Sequence, residues 1–167
     1  MTQTGDTLLA IGTRKGLWLA QSSDRTDWKL SGPFFLMNEV ASVALDTRHS
    51  PPRILAGLLS PHWGPTVVIS EDLGESWTEP EAGAIAFPPE TGEALGRIWQ
   101  LQPDSAERPG VIWAGCEPIS VWKSTDGGTS FELNEALWNH PHRPEWGEGY
   151  GGAAAHTVLP SPADESV

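Results

Sequence analysis

Residues 110–137 read GVIWAGCEPISVWKSTDGGTSFELNEAL. An apolar run, Val111-Ile112-Trp113-Ala114, stops at Gly115 and is followed by Glu117-Pro118. A second run, Val121-Trp122, leads into Ser124-Thr125-Asp126-Gly127-Gly128, and a third short run covers 131–133. Short β-type runs split by Gly, Pro and Asp are the pattern of consecutive antiparallel strands. The Asp-Gly-Gly step suits a tight hairpin, because glycine tolerates positive φ.

The unit recurs. In residues 53–80, Ile54-Leu55-Ala56-Gly57 matches Ile112-Trp113-Ala114-Gly115. The motif Ser70-x-Asp72-x-Gly74-x-Ser76-Trp77 matches Ser124-x-Asp126-x-Gly128-x-Ser130-Phe131. Residues 8–30 hold a weaker copy, with Leu9-Ala10-Ile11-Gly12, then Ser22-x-Asp24 and Trp28, and a turn one residue shorter that lacks the glycine. The Ser-to-Ser intervals are 48 and 54 residues. Leu45, Leu101 and Leu159, in runs that precede a unit or end the series, lie 56 and 58 apart. A period of this size points to a repeat architecture such as four-stranded propeller blades.

The motif Ser-x-Asp-x-Gly-x-Thr/Ser-Trp/Phe resembles the Asp-box, or bacterial neuraminidase repeat, of sialidases and sortilin-type propellers. The blocks GTRKGLW (12–18), GPFF (32–35), HWGPT (62–66), SEDLGESW (70–77) and NHPHR (139–143) are similar to a bacterial group described as sialidase-like or glycosyl-hydrolase-like. The resemblance spans 7–159 and implies an all-β fold, a propeller of four-stranded antiparallel blades. About three blades are expected here, the N-terminal part of a longer ring. The expected blades are 7–30, 40–80 and 96–137, with the first strand of a further one at 156–159. Residues 1–6 are expected to be a disordered start and 160–167 a tail.

The boxes themselves read as folding devices. Asp72 and Asp126 are placed to accept backbone N–H groups of their own turns. Ser70 and Ser124 open the turns, Gly74 and Gly128 take backbone conformations other residues resist, and Trp77 and Phe131 anchor the hairpins. In sialidases too the boxes lie away from the active site. Antiparallel order places the other turns and the sheet connections at the opposite face, where propellers resembling this one bind ligands.

That face gathers the candidate binding residues: Arg14, Lys15, His62, Trp63, Arg97, Glu117, His140, His142, Arg143 and Trp146. Arg14, Arg97 and Arg143 are candidates for a carboxylate clamp, or for pairing with Glu39, Glu117 and Glu145. Trp63 and Trp146 are candidates for stacking on sugar rings. His140-x-His142, with His62, His156 or Glu117, has the ligand types of a metal site, although a His-x-His loop pair also arises by chance. A sialidase uses a Tyr nucleophile assisted by Glu, and is a stated exception to two-carboxylate glycosidases. The only tyrosine is Tyr150, with Glu148 two residues before it. The Phe/Tyr-Arg-Ile-Pro motif of sialidases is absent, and no cofactor is expected, since no phosphate-binding glycine loop is present.

Composition bounds the rest. Among 167 residues, nine Trp and 38% apolar content supply a core, while 18 Gly and 15 Pro suit short strands over helices. Ten basic against 22 acidic residues, a net charge of −12, argue against nucleic acid or an anionic membrane as partner. The expected partners are a carbohydrate or other small molecule, or a second copy meeting open sheet faces. The single Cys116 forms no internal disulfide. No leader pattern and no apolar stretch near ~20 residues is visible, so the expected compartment is the cytoplasm.

Overall fold

The structure is a computed structural model and describes residues 6–80, 83–149 and 151–161. It is all-β. β1 (Thr7–Thr13), β2 (Gly16–Ser22) and β3 (Lys29–Phe34) form one antiparallel sheet in the order β1-β2-β3. β4 (Glu39–Asp46), β5 (Arg53–Ser60) and β6 (Gly64–Ser70) form a second. β7 (Arg97–Pro103), β8 (Ile112–Glu117), β9 (Ser120–Ser124) and β10 (Glu132–Leu133) form a third, in the order β10-β9-β8-β7. The one α-helix among the described residues, α1 (Glu135–Trp138), is a single turn. No helix among the described residues is long and apolar enough to cross a membrane.

The second sheet lies between the other two, and its central strand shows it. β5 is buried from Arg53 to Leu58. Its side chains alternate across the sheet. Ile54, Ala56 and Leu58 join Leu17, Leu19, Val40 and Val68 in a core against the first sheet. Leu55 joins Val67, Ile69, Ile98, Leu101, Ile112, Ala114 and Trp122 in a core against the third. A strand covered on both faces needs a continuous apolar run, which is what RILAGLL provides. Complete burial of one such leucine contributes about 1.5–3 kcal/mol.

The matched glycines Gly12, Gly57 and Gly115 share one role. A Cβ on Gly12 would sit 2.6 Å from Val40 O on β4. On Gly57 it would collide with Ser42 Oγ and come within 3.1 Å of Ile98 on β7, and on Gly115 it would collide with Ala155 O. Each sheet is therefore crossed closely by the chain that follows it. Residues 155–158 lie on β8 in the way that β4 lies on β1.

Two expected strands are corrected. Residues 156–159 form no strand. Ala155 N–H bonds Cys116 O and Val158 N–H bonds Gln100 Oε1, and no ladder continues from these bonds among the described residues. The second sheet also lacks its fourth strand, which shrinks to one bridge between Ile69 and Thr78. The next paired position falls on Pro80, which has no N–H to give to Val67 O. In the third sheet the equivalent strand survives as the two-residue β10. Of the expected termini, residues 1–5 and 162–167 lie outside the described residues.

Among the described residues, one apolar face of the first sheet stays uncovered. Leu9, Ala20 and Leu30 stand in one cross-strand row and Ile11 and Trp18 in the next. Leu9, Ile11 and Leu30 are exposed there.

Candidate functional site

The box turns are closed on themselves. In the second sheet, Ser70 Oγ–H donates to Asp72 Oδ1 at 2.8 Å, and Gly74 N–H donates to Ser70 Oγ at 2.8 Å. Asp72 also accepts from Ser76 N–H at 2.8 Å and Ser76 Oγ–H at 2.5 Å. Ser124, Asp126, Gly128 and Ser130 repeat the arrangement. The first copy forms it too, around Ser22 and Asp24, with Arg25 at φ 62° where the later boxes use glycine or leucine. Gly74 and Gly128 have φ of 92° and 97°, and a Cβ on them would press on Leu19 and Leu55 of the preceding sheet. Trp77 packs edge-on against Phe35 at 5.0 Å, and Phe131 is buried in the third-sheet core. With their hydrogen-bonding capacity spent on the turn, Asp72 and Asp126 act on the fold.

At the opposite ends of the strands the candidates separate into groups. A groove of about 700 Å³ lies between the β3–β4 connection and the β5–β6 turn. Leu58 and Thr66 lie toward its floor, and Leu36, Met37, His62, Trp63 and Glu79 line it as well. Trp63 is 91% exposed and Met37 74%. These side chains are held out by defined backbone. Phe35 and Met37 have φ of 56° and 75°, in a turn closed by Asn38 N–H to Phe35 O at 3.0 Å. Left-handed backbone at two non-glycine residues costs on the order of 1–3 kcal/mol each. Ser60 Oγ accepts from the amides of both His62 and Trp63, fixing the other wall.

Arg97 and Glu117 meet through Trp99. The Trp99 Nε1–H donates to Glu117 Oε2 at 3.2 Å, and the Arg97 guanidinium lies 4.8 Å from the Trp99 ring centre. Arg97 also pairs with Glu39 at 3.3 Å, and His156 packs edge-on against Trp99. A bulge between Ile98 and Gln100 sets Trp99 out of the regular ladder.

The loop after α1 gathers a third group. The Arg143 guanidinium stacks 3.5 Å from the Trp138 ring centre, and its Nε–H bonds Ile119 O. His140 stacks on Trp146, its ring lies 5.4 Å from that of His142, and its Nδ1 accepts from His142 N–H. His142 Nδ1 is 3.7 Å from Glu145 Oε2. Among the described residues no group of three or more His, Cys, Asp or Glu is placed to hold a metal ion. Arg14 and Lys15 are exposed at the β1–β2 turn, without an ion-pair partner among the described residues. Glu148 is exposed, and Tyr150 lies outside the described residues. Burial pushes the Cys116 thiol far up, which leaves it a packing residue.

Sequence reading missed Leu36, Met37, Glu79 and Trp99 as site residues. An apolar Leu-Met pair directly before Asn38 was the one signal available for the groove. No protein-family model matches the chain, and no curated protein matches it.

Proposed function

We propose that the three sheets are blades of a partial Asp-box β-propeller, sialidase-like and cytoplasmic, that binds a ligand on the face opposite the boxes. The observation that carries the reading is the groove. It joins an almost fully exposed tryptophan, two exposed aliphatic side chains and a few polar groups on a braced backbone. Pockets of this size with few polar groups are the usual form of a small-molecule site. Backbone held in a costly conformation at an exposed apolar turn supports use of that surface. In the cluster around Trp99, Arg97 is already paired with Glu39 and Glu117 accepts from the Trp99 indole. Binding, rather than hydrolysis, is the activity proposed.

The test is a ligand-observed NMR screen of small molecules, with mono- and oligosaccharides included, against wild type, Trp63→Ala and the box-end control Glu75→Ala. Hits lost in Trp63→Ala and kept in Glu75→Ala are expected. Hits that survive Trp63→Ala, or an empty screen, overturn the reading.

A further inference from the structure

The groove is chemically one-sided. Among the described residues that line it, Glu79 is the only carboxylate and none is Lys or Arg. Glu79 is exposed and has no ion-pair partner among the described residues. The exposed indole of Trp63 also lines the groove, and its ring face carries negative electrostatic potential. Leu36 and Met37 add apolar wall. The whole chain carries a net charge of −12, which raises the local concentration of cations and lowers that of anions.

We infer that the groove takes a small organic cation: an ammonium or guanidinium group on an apolar body. This rests on the groove being a binding site and names its ligand class. The cationic head sits between the Trp63 face and the Glu79 carboxylate. The apolar body lies on Leu36 and Met37. An indole face attracts a cation that has shed part of its water, and a carboxylate beside it adds a charge-assisted hydrogen bond. An anionic ligand meets the same two groups as repulsion.

Three probes with similar apolar bodies and different charge test this: phenethylamine, phenethyl alcohol and phenylacetate. Each is titrated into the protein while the Trp63 indole N–H signal is followed by NMR. The amine is expected to bind about tenfold more tightly than the alcohol, with phenylacetate weakest. Glu79→Gln should remove most of the amine's advantage and leave the alcohol unchanged. Trp63→Ala, read through backbone amides of 36–38, should weaken the amine at least as much. Added salt should weaken the amine alone. Alcohol or phenylacetate binding as tightly as the amine overturns the cation assignment, and so does an amine preference that survives Glu79→Gln. Equal binding of all three that disappears in Trp63→Ala overturns the assignment but keeps the groove as a site. Binding of none overturns both.

Discussion

Arg48 and Asp46 form a buried, two-pronged ion pair, with Nε 2.7 Å from Oδ1 and Nη2 2.8 Å from Oδ2. Their side chains are 8% and 0% exposed. The pair ties two sheets together, because Arg48 Nη1 also donates to Arg108 O at 2.8 Å and Val111 O at 3.1 Å in the β7–β8 connection. Burial pushes the Asp46 carboxyl up, and the hydrogen bonds and charge of Arg48 outweigh it, so the group is held below the usual carboxylate range.

Arg48→Met should therefore cost about 3–5 kcal/mol, since it strands a buried carboxylate and releases the β7–β8 connection. Urea unfolding of wild type, Arg48→Met and Asp46→Asn/Arg48→Met would measure it. The double variant is expected to lose less than the single one, because no uncompensated charge stays buried. Equal losses would show that the lost carbonyl contacts, and not the stranded charge, dominate.

The box carboxylates make stability pH-dependent. The Ser76 hydroxyl, the Ser76 amide and the Ser70 hydroxyl hold Asp72 at about 2, against an ordinary 3.8. At Asp126 burial acts upward, but bonds from Ser130, Ser124 and the Thr129 amide outweigh it, and it also lies at about 2. A lowered folded-state value means stability that is complete above the unfolded value and lost as pH falls toward the folded one. Circular dichroism melts should show the melting temperature dropping between about pH 4 and pH 2. In Asp72→Asn/Asp126→Asn the same melts should start lower and change less over that window. A parallel slope in the double variant would place the acid sensitivity elsewhere, with Asp46 and Asp104 next to examine.

Close passage of the chain over Gly57 predicts a size limit. Gly57→Ala drives a methyl into Ser42 Oγ and the Ile98 side chain, an overpacking cost of about 1–3 kcal/mol. Gly147→Ala, with open space around it, should change stability by less than about 0.5 kcal/mol. Guanidinium midpoints of the two variants decide the matter, and a tolerated Gly57→Ala would mean that the sheets can slide apart there.

Cys116 is fully buried in the core between the second and third sheets, and burial raises its thiol far above the range where thiolate forms. A disulfide exchange reagent should label it only in denaturant. Fast labelling of the native protein would mean that the second and third sheets part readily.

The uncovered first-sheet face gives a prediction about association. Leu9, Ile11 and Leu30 are exposed side by side with Trp18 and Ala20, and contiguous apolar faces mark contact surfaces. Light scattering is expected to show a dimer or larger species that Ile11→Asp returns to monomer. A wild-type monomer at micromolar concentration would show that the face is tolerated in water.

The sequence by itself determined the strands and the turns. Position before the second repeat placed β4, and the serine, aspartate and glycine spacing placed the boxes, because each of those bonds closes within five consecutive residues. It also placed the glycines that recur before each turn, though not what they touch. Tertiary structure alone decided what the repeats do with one another. Pro80 cuts the second sheet's fourth strand to a bridge, while Asn134 lets β10 form and then caps α1. A bulge, invisible in residue spacing, puts Trp99 between Arg97 and Glu117. The groove needs residues 36–37, 62–63, 66 and 79 at once. Local hydrogen bonding writes turns into short stretches of chain. A groove between sheets exists only after burial of their apolar faces has brought those distant stretches together.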